Sequence, residues 1–497
     1  VCFYSVVAAE SGVPVDDMQK LVVIGAGAAG SAVVGECLRN AQSGQLDLTW
    51  IRGRQAPGRG VAYSTTAEHH LLNVRAANMG LFADDAGEFI AFARARGWPV
   101  EACDFAPRVR YADYLQDTLA REIAKAGERH VAVRLLADEA ISVRGDDRAG
   151  YAVVSAAGER MVADGVVLAI GALPPTPLAE VTAAARAHPA YAADPWHWVP
   201  PGKVPERVVV LGTGLSAVDA LQSAARLWPN AQLIAVSRHG HLPFAHNAVP
   251  GEPYEQQAAL IEALREAPAV ARWLHEIRAA MAESGVEWRS IVDGLRMQTP
   301  QLWRALNDDE RKRFLRHLRW LWEAVRHRLP QQTANELAHL CEQMRLEIVA
   351  GRIRAIDVHA NARNRLDVRV QLRGTSDMRR FAADLVIQAT GFNLSIDATD
   401  HALVRQMVSE GVVHADALDL GLAADPEGRL LSVDGVPARG LRCLGTLLRG
   451  SIWECSGLPE IRNLAKAIAR DMPAELREVR KATHSRMSMT ANALVAA

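Results

Sequence analysis

Two glycine-rich turns constrain this chain more than any other feature. An apolar run over 21–24 leads into Gly25-Ala26-Gly27-Ala28-Ala29-Gly30, and a second over 208–211 leads into Gly212-Thr213-Gly214-Leu215-Ser216-Ala217. A helical pattern follows each, the strand–turn–helix context in which such a turn binds a dinucleotide. In the first turn Gly25 permits the bend, Gly27 lets the backbone approach a pyrophosphate, and Gly30 lets helix pack closely on strand. Gly212 and Gly214 take the first two roles in the second turn. Ala217 replaces the third glycine, and Ser216 opens the helix beside it. The phosphate rests on the helix N-terminus, where unpaired N–H groups and the macrodipole favour an anion. The expected fold is therefore α/β, with two Rossmann-like dinucleotide-binding domains. The usual chemistry of that arrangement is hydride transfer from a nicotinamide to a flavin.

The residue after the second strand of such a unit is normally an acid that accepts from ribose hydroxyls. Neither unit has one. The strand over 46–51 ends at Arg52, which cannot accept a hydrogen bond. Arg52 meets an adenosine phosphate, stacks on adenine, or is a solvated strand-end charge. The strand over 232–236 ends at Ser237-Arg238. An acid there would repel a 2′-phosphate, whereas Ser and Arg bind it through charge-assisted bonds. NADPH is thus expected, with NADH the alternative. Two more strands end in small-residue turns, Ala169-Ile170-Gly171 and Ala389-Thr390-Gly391, at positions where such chains cross between domains.

The pattern divides into an FAD-binding domain over 18–205 and 380–472, an NAD(P)-binding domain over 206–254 and 346–379, a helical insertion over 255–345, and a tail over 473–497. Residues 1–17 have no basic n-region and precede Met18, so an upstream extension is expected there. Single strands are expected over 161–170, 346–349 and 353–358, and a final helix over 459–470. The loop over 58–79 is long for a compact domain, and such loops are usually functional. Trp273, Trp288, Trp303, Trp320 and Trp322 are expected to be core residues of the insertion.

A chain of 497 residues has room for two or three domains. With 56 basic and 57 acidic residues it carries no general pull toward nucleic acid or a membrane surface. Its apolar runs are of strand length, too short to span a bilayer. The six cysteines form no CxxC pair and no metal-type spacing. Reduced thiols in a cytoplasmic protein are expected, and the disulfide-reducing branch of two-nucleotide flavoproteins lacks its redox pair.

Several segments carry a closer resemblance. Gly58-Arg59-Gly60-Val61-Ala62-Tyr63-Ser64, His70-Leu71-Leu72-Asn73-Val74, Asp194-Pro195-Trp196, Ser237-Arg238-His239-Gly240, Arg326-His327-Arg328, Gly445, Leu448-Arg449-Gly450, Trp453-Glu454 and Pro459-Glu460-Ile461-Arg462 stand in this order. Together they resemble a bacterial family of FAD/NAD(P)-binding oxidoreductases distantly similar to class B flavin monooxygenases and amine N-hydroxylases. The family includes a flavoprotein urate hydroxylase. The resemblance implies FAD on the first unit, a reduced nicotinamide on the second, and Gly391 and Gly445 near the cofactors. Arg52, in place of an acid, and Ile170, in place of a threonine, depart from the family pattern.

A monooxygenase of this kind consumes NADPH and O2 and hydroxylates a small nitrogenous substrate, urate being the most concrete candidate. Reduced flavin reacts with oxygen itself, so no nucleophilic triad or metal is required. Asn73, in the long loop, is a candidate for contact with the flavin ring. Arg326, within a dense basic group, is a candidate anchor for an anionic substrate. Glu454 lies just before the final helix and is a candidate base or structural partner. A flavin reductase that does not oxygenate and a nucleotide-binding redox sensor are the other readings.

Overall fold

The computed structural model describes residues 18–54, 56–200, 202–362 and 364–495. The expected upstream extension, 1–17, lies outside the described residues. Strand β1 (Gln19–Ile24) passes through the first glycine turn into the helix Ala28–Asn40, then β2 (Leu46–Ile51) and β3 (Ala132–Leu136). An antiparallel sheet of β4 (Ala140–Asp146), β5 (Gly150–Ser155) and β6 (Arg160–Ala163) follows, and β7 (Gly165–Leu168) returns to β1. Next come β8 (Tyr191–Ala192), β9 (Arg207–Leu211), the helix Leu215–Leu227 and β10 (Gln232–Ser237). A run of helices from Gln257 to Glu342 separates β10 from β11 (Leu346–Val358), β12 (Leu366–Leu372), β13 (Met378–Ala383) and β14 (Leu385–Gln388). The chain ends with β15 (Arg429–Leu431), β16 (Pro437–Cys443) and the helix Leu458–Val495.

Two sheets result. The first has the order β15-β16-β7-β1-β2-β3 and is parallel from β16 to β3; the second has the order β13-β12-β11-β10-β9-β14-β8. β1, β7, β9 and β14 are almost wholly buried, as expected for parallel strands covered on both faces. The two units repeat one another locally. Gly25 N–H donates to Ile51 O and Gly212 N–H to Val236 O, each at 2.8 Å. The end of β7 closes the first turn and the end of β14 closes the second.

Sheet membership corrects four expectations. β13 and β14 pair within the second sheet, and β8 pairs with β14, so the boundary drawn at 380 falls about nine residues early and Tyr191–Ala192 belongs with the second unit. The run over 161–170 is two strands, β6 and β7, that turn at Asp164, whose carboxylate accepts from Lys20 N–H at 2.8 Å. The segments over 346–349 and 353–358 are one 13-residue strand, parallel to β10 at its start and antiparallel to β12 beyond Gly351. The final helix does not stop at 470. It runs through Pro473 to Val495, because Leu476 and Val479 continue its buried face.

The insertion has its own apolar core, with Leu260, Leu264, Ile291, Leu295 and Leu302 at its centre. Trp303 is buried against Trp453 with ring centroids 4.7 Å apart, as a core tryptophan should be. Trp320 differs: it is half-buried and faces the cavity described next.

Candidate functional site

One cavity of 1610 Å³ lies between the two sheets. Single-ligand pockets usually occupy roughly 300–1,000 Å³, so the space suits more than one ligand. Both glycine turns open on it. Gly25 has φ +108° and Gly212 φ +127°, and a Cβ on either would overlap the carbonyl of Ala169 or Ala389. Gly27 packs against the long loop: a Cβ on Gly60 would sit 2.8 Å from the Gly27 Cα. Gly214 faces open space, with no atom within 4 Å of a Cβ built there. The helices that start after Gly27 and Gly214 have no side-chain cap and no acid in the first turn. Their N–H groups and dipoles are thus available to an anion, and the glycine cradle fits a dinucleotide on each unit.

The sequence-selected residues converge on this space. Gly25, Gly27, Arg52, Asn73, Gly212, Gly214, Ser216, Ser237, Arg238, Arg326, Gly391, Gly445 and Glu454 all line it. Gly30 does not, consistent with a packing role: a Cβ there would overlap the Gly25 carbonyl, which also accepts from Trp50 Nε1 at 2.8 Å. Ser237 Oγ accepts from Thr213 Oγ1 at 2.9 Å and from Gly240 N–H at 3.0 Å, which leaves its own O–H to donate. Asn73 is fixed through its backbone, whose carbonyl accepts from His246 Nε2 at 3.1 Å. Burial, reinforced by the nearby Arg328 charge, pushes the His246 ring down to about 3, so it is the neutral Nε2–H form that donates.

At the far end of the cavity the insertion meets the final helix. Arg326 is buried, with Glu454 at 3.7 Å and Glu460 at 3.5 Å. Neither carboxylate is its own. Glu460 is held by Arg296 through bonds of 2.5 and 2.7 Å, and Glu454 accepts from Trp322 Nε1 at 2.8 Å. Burial alone would raise the Glu460 carboxyl, but the Arg296 hydrogen bond and charge outweigh it and hold it below the usual range. Glu323, one turn before His327, is shared by Arg449, His327 and Arg319. Burial works against its charge too, yet these three partners keep it well below the usual carboxylate range.

Several groups here were not selected from the sequence. Arg296, Arg319, Trp320, Glu323 and Arg449 line the cavity. The units are joined by Asp219, on the helix after the second turn. It takes two bonds from Arg108, at 2.5 and 3.1 Å, and one from Trp196 Nε1 at 3.0 Å. His70 Nε2 adds contacts to the Asp219 carbonyl at 3.1 Å and Ser223 Oγ at 2.9 Å. No local pattern marked this joint: Asp219 shares its helix face with Ser216, Gln222 and Ser223, where a solvated carboxylate would equally stand.

Two strand–turn–helix units that open on a shared cavity define the two-dinucleotide flavoprotein class of fold. Residues 22–173 match the protein-family model described as FAD-NAD(P)-binding, which fixes the character of the first unit. The whole fold is similar to ornithine hydroxylase from Pseudomonas aeruginosa, at 15% identity and TM-score 0.62, covering 92% of this chain and 100% of that one. L-lysine 6-monooxygenase from Pseudomonas syringae is similar at 15% identity and TM-score 0.60, over 92% and 99% of the two chains. The ornithine N-hydroxylase of Kutzneria sp. 744, solved with reduced FAD, NADP+ and L-ornithine, matches at 14% identity and TM-score 0.60, over 92% and 99%. No curated protein matches the sequence. Among the described residues no helix is long and apolar enough to cross a membrane, and no group of three or more His, Cys, Asp or Glu is arranged to hold a metal ion.

Proposed function

We propose that this protein is an FAD-dependent, NADPH-consuming monooxygenase that hydroxylates a small nitrogenous substrate. The observation that carries the reading is the single cavity onto which both glycine turns and the insertion residues open. The Gly25–Gly27 turn and the following helix would hold the FAD pyrophosphate, and Gly445 and Asn73 would flank its ring. The Gly212–Gly214 turn would hold NADPH, with Ser237 and Arg238 at the 2′-phosphate and Gly391 where the chain crosses back. Bound FAD supplies the electron transfer and the activation of O2. The chain would bind and orient both nucleotides on the two walls of the cavity. Arg326, flanked by carboxylates that other donors already hold, would anchor an anionic group of the substrate. Glu454, with Trp322 and Arg326 on its oxygens, would position that anchor.

The thiols favour this reading over a disulfide reductase. Among the described residues no cysteine lines the cavity, and burial pushes the Cys455 thiol up to about 12 and raises the Cys443 thiol as well. The similar proteins named above act on ornithine and lysine, which favours an amine. Urate draws support from Arg326 alone. The test is NADPH oxidation by the flavin-loaded protein with a panel of diamines, amino acids and purines under isotopically labelled dioxygen. The reading expects one substrate class to raise NADPH consumption and to carry the label. Fast NADPH turnover with an artificial acceptor and no label in any product would replace it with a reductase.

A further inference from the structure

The insertion helix Arg319–Arg326 starts against the loop that follows β10. Trp320 stacks on His239 with centroids 4.5 Å apart and on His241 at 5.2 Å. That stack ties the first turn of the helix to Ser237-Arg238-His239 and brings Arg319 near Arg238; burial first, then the charges of Arg449 and Arg238, disfavour the charge on Arg319. Both arginines line the cavity. Arg238 makes no hydrogen bond or ion pair with the described residues. Arg319 uses Nε alone, toward Glu323 at 3.3 Å, and leaves its two terminal nitrogens without a hydrogen bond. Glu323 cannot neutralise the pair, because Arg449 and His327 already share it. Two guanidiniums with open forks, held close despite their repulsion, suit an oxyanion with more than one charge.

We propose that Arg319 of the insertion and Arg238 of the second unit together form a seat for a phosphate-monoester dianion, the 2′-phosphate of NADPH. The inference rests on the reading of the second unit as an NADPH site. It adds that a residue outside the Rossmann unit sets the choice between NADPH and NADH. No local pattern points to this pairing, because Arg319 stands 81 positions after Arg238 in the chain.

The experiment uses the flavin-loaded full chain. Anaerobic flavin reduction gives the apparent affinity for NADPH and for NADH, and calorimetry gives binding of adenosine 2′,5′-bisphosphate and of AMP. Wild type is compared with R238A, R319A and R319K. R319A is expected to weaken NADPH and the bisphosphate by about tenfold to a hundredfold, the worth of a lost charge-assisted bond, and to leave NADH and AMP unchanged. R319K is expected to recover part of the loss. Equal weakening of all four ligands in R319A, or no change while R238A alone shifts the preference, overturns the role of Arg319 and leaves the NADPH reading standing. If neither R238A nor R319A alters the preference, the NADPH reading falls with it.

Discussion

The clearest contrast at the residue scale is between two glycines of apparently equal rank. Gly25 has φ +108° and the Ala169 carbonyl where its Cβ would be, so both conformation and space exclude a side chain. Gly214 is extended, at φ −78° and ψ −174°, and faces the cavity. Gly25→Ala is therefore expected to lose the fold and any bound flavin. Gly214→Ala is expected to fold within about 1 kcal/mol of wild type and to keep flavin, while NADPH affinity drops about tenfold. Flavin content, thermal melting and a nucleotide titration separate the two outcomes. His246 offers a pH test. Its ordinary value is 6.5 and burial lowers it to about 3, so below 6.5 the unfolded chain binds a proton that the folded chain refuses. Stability from this group is complete above 6.5 and is lost as pH falls toward 3. His246→Gln, which can still donate to Asn73, should flatten that part of the melting-temperature curve. The glycine turns were legible because their chemistry is local. The partners of Arg326, Glu454 and Glu460, lie more than a hundred residues away along the chain, beyond any periodicity.

At the scale of elements, near-continuous apolar runs announced β1, β7, β9 and β14 because parallel strands are buried on both faces. Where the reading failed, tertiary packing had overruled a local rule. Pro473 normally ends a helix, at a cost of about 3 kcal/mol in an interior. Here the helix continues, its Pro473 carbonyl accepts from Gln19 Nε2 at 3.1 Å, and Glu475 pairs with the buried Arg442. Leu476 is 1% exposed and packs on Gly165, where a Cβ would collide with it. Leu476→Ala should cost about 2–5 kcal/mol, read from denaturant unfolding, which a dispensable tail would not show. The element Arg319–Arg326 was legible as a helix and not as part of a site. Its role follows from which loop it touches, and the sequence encodes that only through long-range contacts.

At the scale of the molecule, two dinucleotide units and an insertion enclose one cavity, and Asp219 joins the units. It is buried and takes three hydrogen bonds from Arg108 and Trp196. Hydride transfer depends on how the units are held, and a misplacement of about 1 Å can cost a hundredfold in rate. Asp219→Asn should therefore keep flavin bound yet slow its reduction by NADPH about tenfold or more. Rapid-mixing absorbance would record this, and an unchanged rate would make the joint a matter of stability alone. The two-unit plan was legible from the paired turns. The assignment of β14 to the second sheet was not, because it pairs with β9, Leu385 against Val208, 177 positions away, and such pairing leaves no local trace.

The most direct measurement mixes the flavin-loaded protein with NADPH in the absence of oxygen and follows the visible absorbance of the oxidised flavin. The account predicts that NADPH bleaches it rapidly, that NADH does so far more slowly, and that admitting air with a suitable amine restores the colour as hydroxylated product appears. A protein that binds no flavin, or whose flavin NADPH does not reduce, would contradict it.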